Sequence, residues 1–91
     1  MKNSLGSWEL RIDPAVLKFI NKLPQKDVRR IRAVVYSLPL NPYYGDLEKM
    51  EGYDNVWRRR VGSYRIFYRL VTKDKIISIF NLERRSSKTY S

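Results

Sequence analysis

The 91-residue chain contains neither histidine nor cysteine. Imidazole acid–base pairs, thiol nucleophiles, thiolate metal sites and disulfides are therefore excluded. What the chain offers instead is arginine, concentrated late: Arg58, Arg59, Arg60, Arg65, Arg69, Arg84 and Arg85. The guanidinium is a planar, permanently charged fork that meets phosphate oxygens two at a time. Such a cluster can hold a phosphate and stabilise charge developing on it. The formal charge is +10, and residues 1–56 supply nine basic and seven acidic side chains of it, whereas residues 57–91 supply ten basic ones against Asp74 and Glu83. A run of lysines would read as a solvated face, but an excess that is mostly arginine favours a polyanion, either nucleic acid or an acidic protein partner.

The spacing of these arginines implies a common face. Gly62-Ser63 reads as a two-residue hairpin loop, which sets Val61 opposite Tyr64, Arg60 opposite Arg65, Arg59 opposite Ile66, Arg58 opposite Phe67 and Trp57 opposite Tyr68. Alternation then gives Trp57, Val61, Tyr64, Ile66 and Tyr68 to the core side, with Arg59 as a misfit that reaches solvent at the sheet edge. Arg58, Arg60, Arg65, Phe67 and Arg69 fall on the other side. Like charges directly opposite destabilise an antiparallel pair by up to about 1 kcal/mol, so Arg60 facing Arg65 implies an anion between them.

The elements that position this hairpin are legible upstream. Trp8, Leu10 and Ile12 alternate with polar residues as one face of a strand. Asp13-Pro14 supplies an N-cap acceptor and the residue best tolerated at the first helical position. A helix follows with Val16, Leu17, Ile20 and Leu23 as its buried stripe, ended by Pro24. Val28, Ile31, Val35 and Leu38 mark a second helix. Residues 38–55 read as a long connection, with a short strand possible at 47–50. The segments 56–61, 64–71 and 75–82 read as strands, joined by Gly62-Ser63 and Thr72-Lys73-Asp74. With 43% hydrophobic and 31% charged residues, residues 1–91 suit one α+β domain: an N-terminal strand, a helical hairpin, then a three-stranded antiparallel meander, the two helices packed on one face of the sheet.

Lys49-Met50-Glu51-Gly52 followed by Val56-Trp57-Arg58-Arg59-Arg60-Val61-Gly62-Ser63-Tyr64-Arg65-Ile66-Phe67-Tyr68 resembles the signature of RelE/ParE-superfamily toxins, and the element order resembles their fold. The resemblance implies a type II toxin held inactive by a cognate acidic antitoxin and, in the RelE branch, a ribosome-dependent endoribonuclease that cuts messenger RNA in the A site. The ParE branch instead poisons DNA gyrase. By motif position the resemblance implies that Arg58, Arg60, Arg65, Arg84 and Tyr90 form the catalytic set. Some relatives carry lysines at the positions of Arg58 and Arg60, and many have Gly-His-Arg where this chain has Leu82-Glu83-Arg84.

The reaction itself can be argued from the residues. RNA is cut when its 2′-hydroxyl attacks the adjacent phosphate, which needs removal of a proton, stabilisation of the phosphorane-like charge and protonation of the leaving 5′-oxygen. Arg65 and Arg84 are expected to hold the scissile phosphate, with Arg58 and Arg60 orienting the RNA. Arg85, Lys88 and Lys49 are further RNA contacts. Arginine is a poor proton acceptor, so Glu83 and Tyr90 are the candidate proton carriers. No metal or cofactor is expected. No apolar run reaches the ~18 residues of a membrane span, and Met1-Lys2-Asn3-Ser4 lacks the apolar stretch of a signal peptide, so a cytoplasmic location is expected. A gyrase inhibitor, or a basic RNA- or antitoxin-binding module without catalysis, are the alternatives.

Overall fold

The computed structural model describes residues 7–84. In chain order they form β1 (Glu9–Ile12), α1 (Pro14–Asn21), α2 (Gln25–Ser37), β2 (Leu47–Lys49), β3 (Val56–Val61), β4 (Tyr64–Val71) and β5 (Ile76–Arg84). The strands make one five-stranded sheet in the order β1-β5-β4-β3-β2. All neighbours are antiparallel except β1, which runs parallel to β5. The expected α+β plan of two helices on one twisted sheet therefore stands, widened from a meander to a mixed sheet by β1 and β2 at its edges.

Local chemistry accounts for the helix ends. Asp13 stays extended, and its Oδ1 accepts from the Ala15 amide at 2.9 Å with Pro14 at the first helical position. Such caps contribute about 1 kcal/mol. Pro24 begins α2. The core lies between the helices and the inner sheet face: Val16 and Ile20 from α1, Ile31 and Val35 from α2, Leu38, and Val61, Tyr64, Ile66, Tyr68, Leu70, Ile77, Ile79 and Leu82 from the sheet. Burying one large aliphatic side chain contributes about 1.5–3 kcal/mol. Leu17 departs from expectation and is exposed. In an eight-residue helix the core takes the Val16–Ile20 stripe, and Leu17 lies a further 100° round the axis, beside Arg32 and Tyr36.

The hairpin register is the one expected, Arg60 facing Arg65 and Trp57 facing Tyr68. Gly62 has φ +59°, which no β-carbon favours and which the tight turn requires. The last strand runs past its expected end at 82 to Arg84, because Arg65 and Tyr64 offer ladder partners to Glu83 and Arg84. A bulge in this ladder pairs Phe67 with Asn81 and Tyr68 with Ile79, leaving Phe80 as the extra residue. No described helix is long and apolar enough to cross a membrane.

Candidate phosphate-binding face

Alternation along the strands assembles two rows across the outer sheet face, the face that carries no helices. In one, Glu48, Arg58, Phe67 and Asn81 stand on β2, β3, β4 and β5. In the other, Arg60, Arg65 and Glu83 stand on β3, β4 and β5, and Asp46 reaches in from the loop before β2. Arg60 Nε donates to Asp46 Oδ2 at 2.9 Å, Arg58 donates to Glu48, and an Arg65 Nη1 lies 3.9 Å from Glu83 Oε1. The second row thus reads acid, arginine, arginine, acid. The anion that the Arg60–Arg65 opposition calls for is supplied by the chain itself, at both ends of the row.

Asp46, Glu48, Arg58, Arg60 and Arg65 line an open depression of about 310 Å³. It is wide enough for a phosphodiester and its flanking sugars. Exposed ion pairs of this kind contribute about 0–1 kcal/mol, so a phosphate that meets two guanidinium forks can displace these carboxylates at small cost. Among the described residues no three acidic side chains stand close enough together to hold a metal ion.

Not every expected site residue is on this face. Arg84 pairs with Tyr64 on the inner side, its guanidinium carbon 5.8 Å from the Tyr64 ring centroid. The clamp of Arg65 with Arg84 is therefore not assembled, because strand alternation sends Glu83 outward beside Arg65 and its neighbour inward. Lys49 is likewise opposite Trp57 and stands 5.8 Å over that ring, away from the arginines. Arg85, Lys88 and Tyr90 lie outside the described residues.

Arg59 is half-buried and tied to the loop rather than free in solvent at the sheet edge. Its Nη1 donates to the Tyr44 carbonyl at 2.7 Å, its Nε is buried without a partner, and the loop passes so close at Gly45 that a β-carbon there would meet the guanidinium at 2.3 Å. It pins the long connection to β3. Two inner-face tyrosines are structural as well. The Tyr64 hydroxyl donates to Asp27 Oδ2 at 2.8 Å, and burial together with that carboxylate holds its pKa above 10.0, partly offset by Arg84. Tyr68 donates to the Pro42 carbonyl at 2.6 Å, and burial raises its pKa further still. Neither is a proton carrier near neutral pH.

Asp46 and Glu48 are the site residues that sequence reasoning missed. The signal available was the alternation of acids with Leu47 beside an arginine strand, but three residues are too few for a period to show.

The profile of the family described as "ParE toxin of type II toxin-antitoxin system, parDE" matches residues 10–88. A Methanocaldococcus jannaschii protein that carries the name toxin RelE1 is 30% identical over 81 residues, spanning 86% of this chain and 90% of that one. The crystal structure of the archaeal RelE–RelB complex from Pyrococcus horikoshii superposes with a TM-score of 0.78 at 30% identity, covering 88% of this chain and 97% of that chain. The isolated Escherichia coli RelE toxin superposes with a TM-score of 0.75 at 15% identity, covering 88% and 86%, and so shares the fold. With a family profile over nearly its full length and a curated relative covering most of it, the chain belongs to the ParE toxin family of type II toxin–antitoxin systems, within the RelE/ParE superfamily.

Proposed function

We propose that the chain is a ribosome-dependent endoribonuclease that cuts messenger RNA in the A site and is neutralised by a cognate acidic antitoxin. The observation that carries this reading is the convergence of Arg58, Arg60 and Arg65 with Asp46 and Glu48 around one open depression, with Glu83 beside Arg65. A face built only to bind a protein has no need of a phosphate-sized site with carboxylates at its rim. The 2′-hydroxyl gives its proton to a carboxylate paired with these arginines, Glu48 or Glu83, as its oxygen bonds to phosphorus. The arginines take the charge of the phosphorane, the bond to the 5′-oxygen breaks, and a proton returns to that oxygen. The ends left are a 2′,3′-cyclic phosphate and a 5′-hydroxyl. Arg84 lies over Tyr64 on the inner side and takes no part in these steps. No metal enters these steps. Support for the antitoxin comes from the RelE–RelB complex of P. horikoshii among the similar structures.

The match to a ParE profile favours a second reading, inhibition of DNA gyrase. One experiment separates the two. Purified protein is incubated with programmed ribosomes and new 5′ ends are mapped by primer extension, with Arg65→Ala and Arg84→Ala alongside and a gyrase supercoiling assay in parallel. Cuts confined to the A-site codon and lost in Arg65→Ala are expected. Uncut message with inhibited supercoiling would overturn the ribonuclease reading.

A further inference from the structure

Phe80 is the one exposed large apolar residue of the described chain that lies in a strand; the others, Leu17, Tyr36, Leu40, Tyr43, Tyr44 and Tyr53, are on helices or loops. It owes its position to the bulge that interrupts the β4–β5 ladder. A bulge spends a residue and a ladder hydrogen bond to re-aim a side chain. Here the result is a phenyl ring 42% exposed, tilted 44° against Phe67 with centroids 6.4 Å apart. Phe67 is itself nearly covered, so it serves as the floor that holds Phe80 in place.

The surroundings of this pair are cationic. Phe67 is directly opposite Arg58 across the ladder, and Arg65 and Arg69 lie two residues to either side of it on the same face. Adjacent strands are about 4.8 Å apart and alternate residues of one strand about 6.6 Å, so an aromatic surface lies one nucleotide's reach from the arginine row. We propose that Phe80, seated on Phe67, is a stacking platform for a nucleobase of single-stranded RNA whose phosphate occupies the Arg58–Arg65 depression. This rests on the ribonucleic substrate proposed above and adds how the substrate is oriented. A base held on the ring fixes the backbone relative to the guanidinium groups, and single-stranded RNA is the occupant because duplex bases have no free face to stack. Charge selects the same occupant: the cross-strand and flanking neighbours of Phe67, on which Phe80 sits, are arginines, which an acidic backbone satisfies as it passes.

The test uses short single-stranded RNA carrying 2-aminopurine, with a matched oligomer in which the fluorescent base is replaced by an abasic ribose, at low ionic strength. Wild type should quench the fluorophore on binding. Phe80→Ala should lose the quench and bind the base-bearing oligomer about five- to a hundredfold more weakly, with the abasic oligomer bound as by wild type, and Phe80→Tyr should restore both. Equal weakening toward the two oligomers would make Phe80 merely structural and overturn the proposal. A quench and affinity unchanged in Phe80→Ala would assign the ring to a protein interface and overturn it equally. The two proposals fail separately: a Phe80-dependent quench with no cutting on ribosomes rejects the ribonuclease alone, and A-site cutting with a Phe80-independent quench rejects the platform alone.

Discussion

At the scale of residues, each arginine of the outer face already has a partner in the chain: Glu48, Asp46 and Glu83 for Arg58, Arg60 and Arg65, and the Asp54 carbonyl for Arg69. Under the ribonuclease reading proposed above, Asp46 and Glu48 are occupants that a phosphate must displace, and they would set how readily the face takes up free RNA. The double variant Asp46→Asn, Glu48→Gln should raise affinity for a single-stranded oligomer several-fold at low salt, while unfolding free energy falls by no more than about 1–2 kcal/mol, the worth of two exposed ion pairs. Fluorescence anisotropy and a urea titration read both; weaker RNA binding would show that the carboxylates hold the arginines in their working geometry. A tyrosine on the other face has its own signature. Because the Tyr64 pKa is raised on folding, the folded state keeps a proton that the unfolded chain loses. Its contribution is complete below pH 10 and is lost as pH climbs through the folded value. Tyr64→Phe should therefore cost about 1 kcal/mol at neutral pH and show a shallower loss of stability above pH 10 in denaturant titrations.

At the scale of elements, the hairpin is held by contacts that lie far away in sequence. Asn55 sits at φ 54°, donates from Nδ2 to the Leu70 carbonyl at 2.8 Å and accepts from Trp57 Nε1 at 3.1 Å. It ties the end of the long connection to β4 just where β3 begins. Asn55→Ala removes both bonds and leaves a side chain that disfavours this backbone, so a loss of about 2–3 kcal/mol is expected. The hairpin register and both helices were legible because they rest on local signals: a two-residue loop, alternation, a capping Asp-Pro. The outer placement of Glu83 and inner placement of Arg84 were not, because the ladder with Tyr64 and Arg65 extends β5 beyond its apolar run. Arg59 was misjudged for the same reason, since its partner is a carbonyl fifteen residues away.

At the scale of the molecule, the charge asymmetry seen along the chain is redistributed in space. Asp46 in the loop before β2 and Glu48 on β2 stand against the arginine hairpin, whereas Lys18, Lys22, Lys26, Arg29, Arg30 and Arg32 are all exposed on the helical layer, and none of them forms an ion pair among the described residues. The positive field that would draw in a polyanion therefore has a second source on the helical layer, apart from the arginine face. Lys26→Glu with Arg29→Glu should slow association with a single-stranded oligomer at low ionic strength and lose that effect as salt screens charges beyond ~8 Å, which stopped-flow fluorescence reads. The pairing of β1 with β5 had no local signature either, because a parallel edge strand four residues long is placed by packing of Trp8, Leu10 and Ile12 on the core.

In the proposed reaction the outer-face arginines stabilise the transition state of RNA cleavage. The most direct measurement is the single-turnover rate of A-site cleavage on programmed ribosomes, with the chemistry of the new ends determined, for wild type and Arg65→Ala. Cyclic-phosphate and 5′-hydroxyl ends are expected from wild type, with a rate about 10²–10³-fold lower for a normally folded Arg65→Ala. Cleavage by Arg65→Ala at the wild-type rate, or intact messages with the wild-type protein, would contradict it.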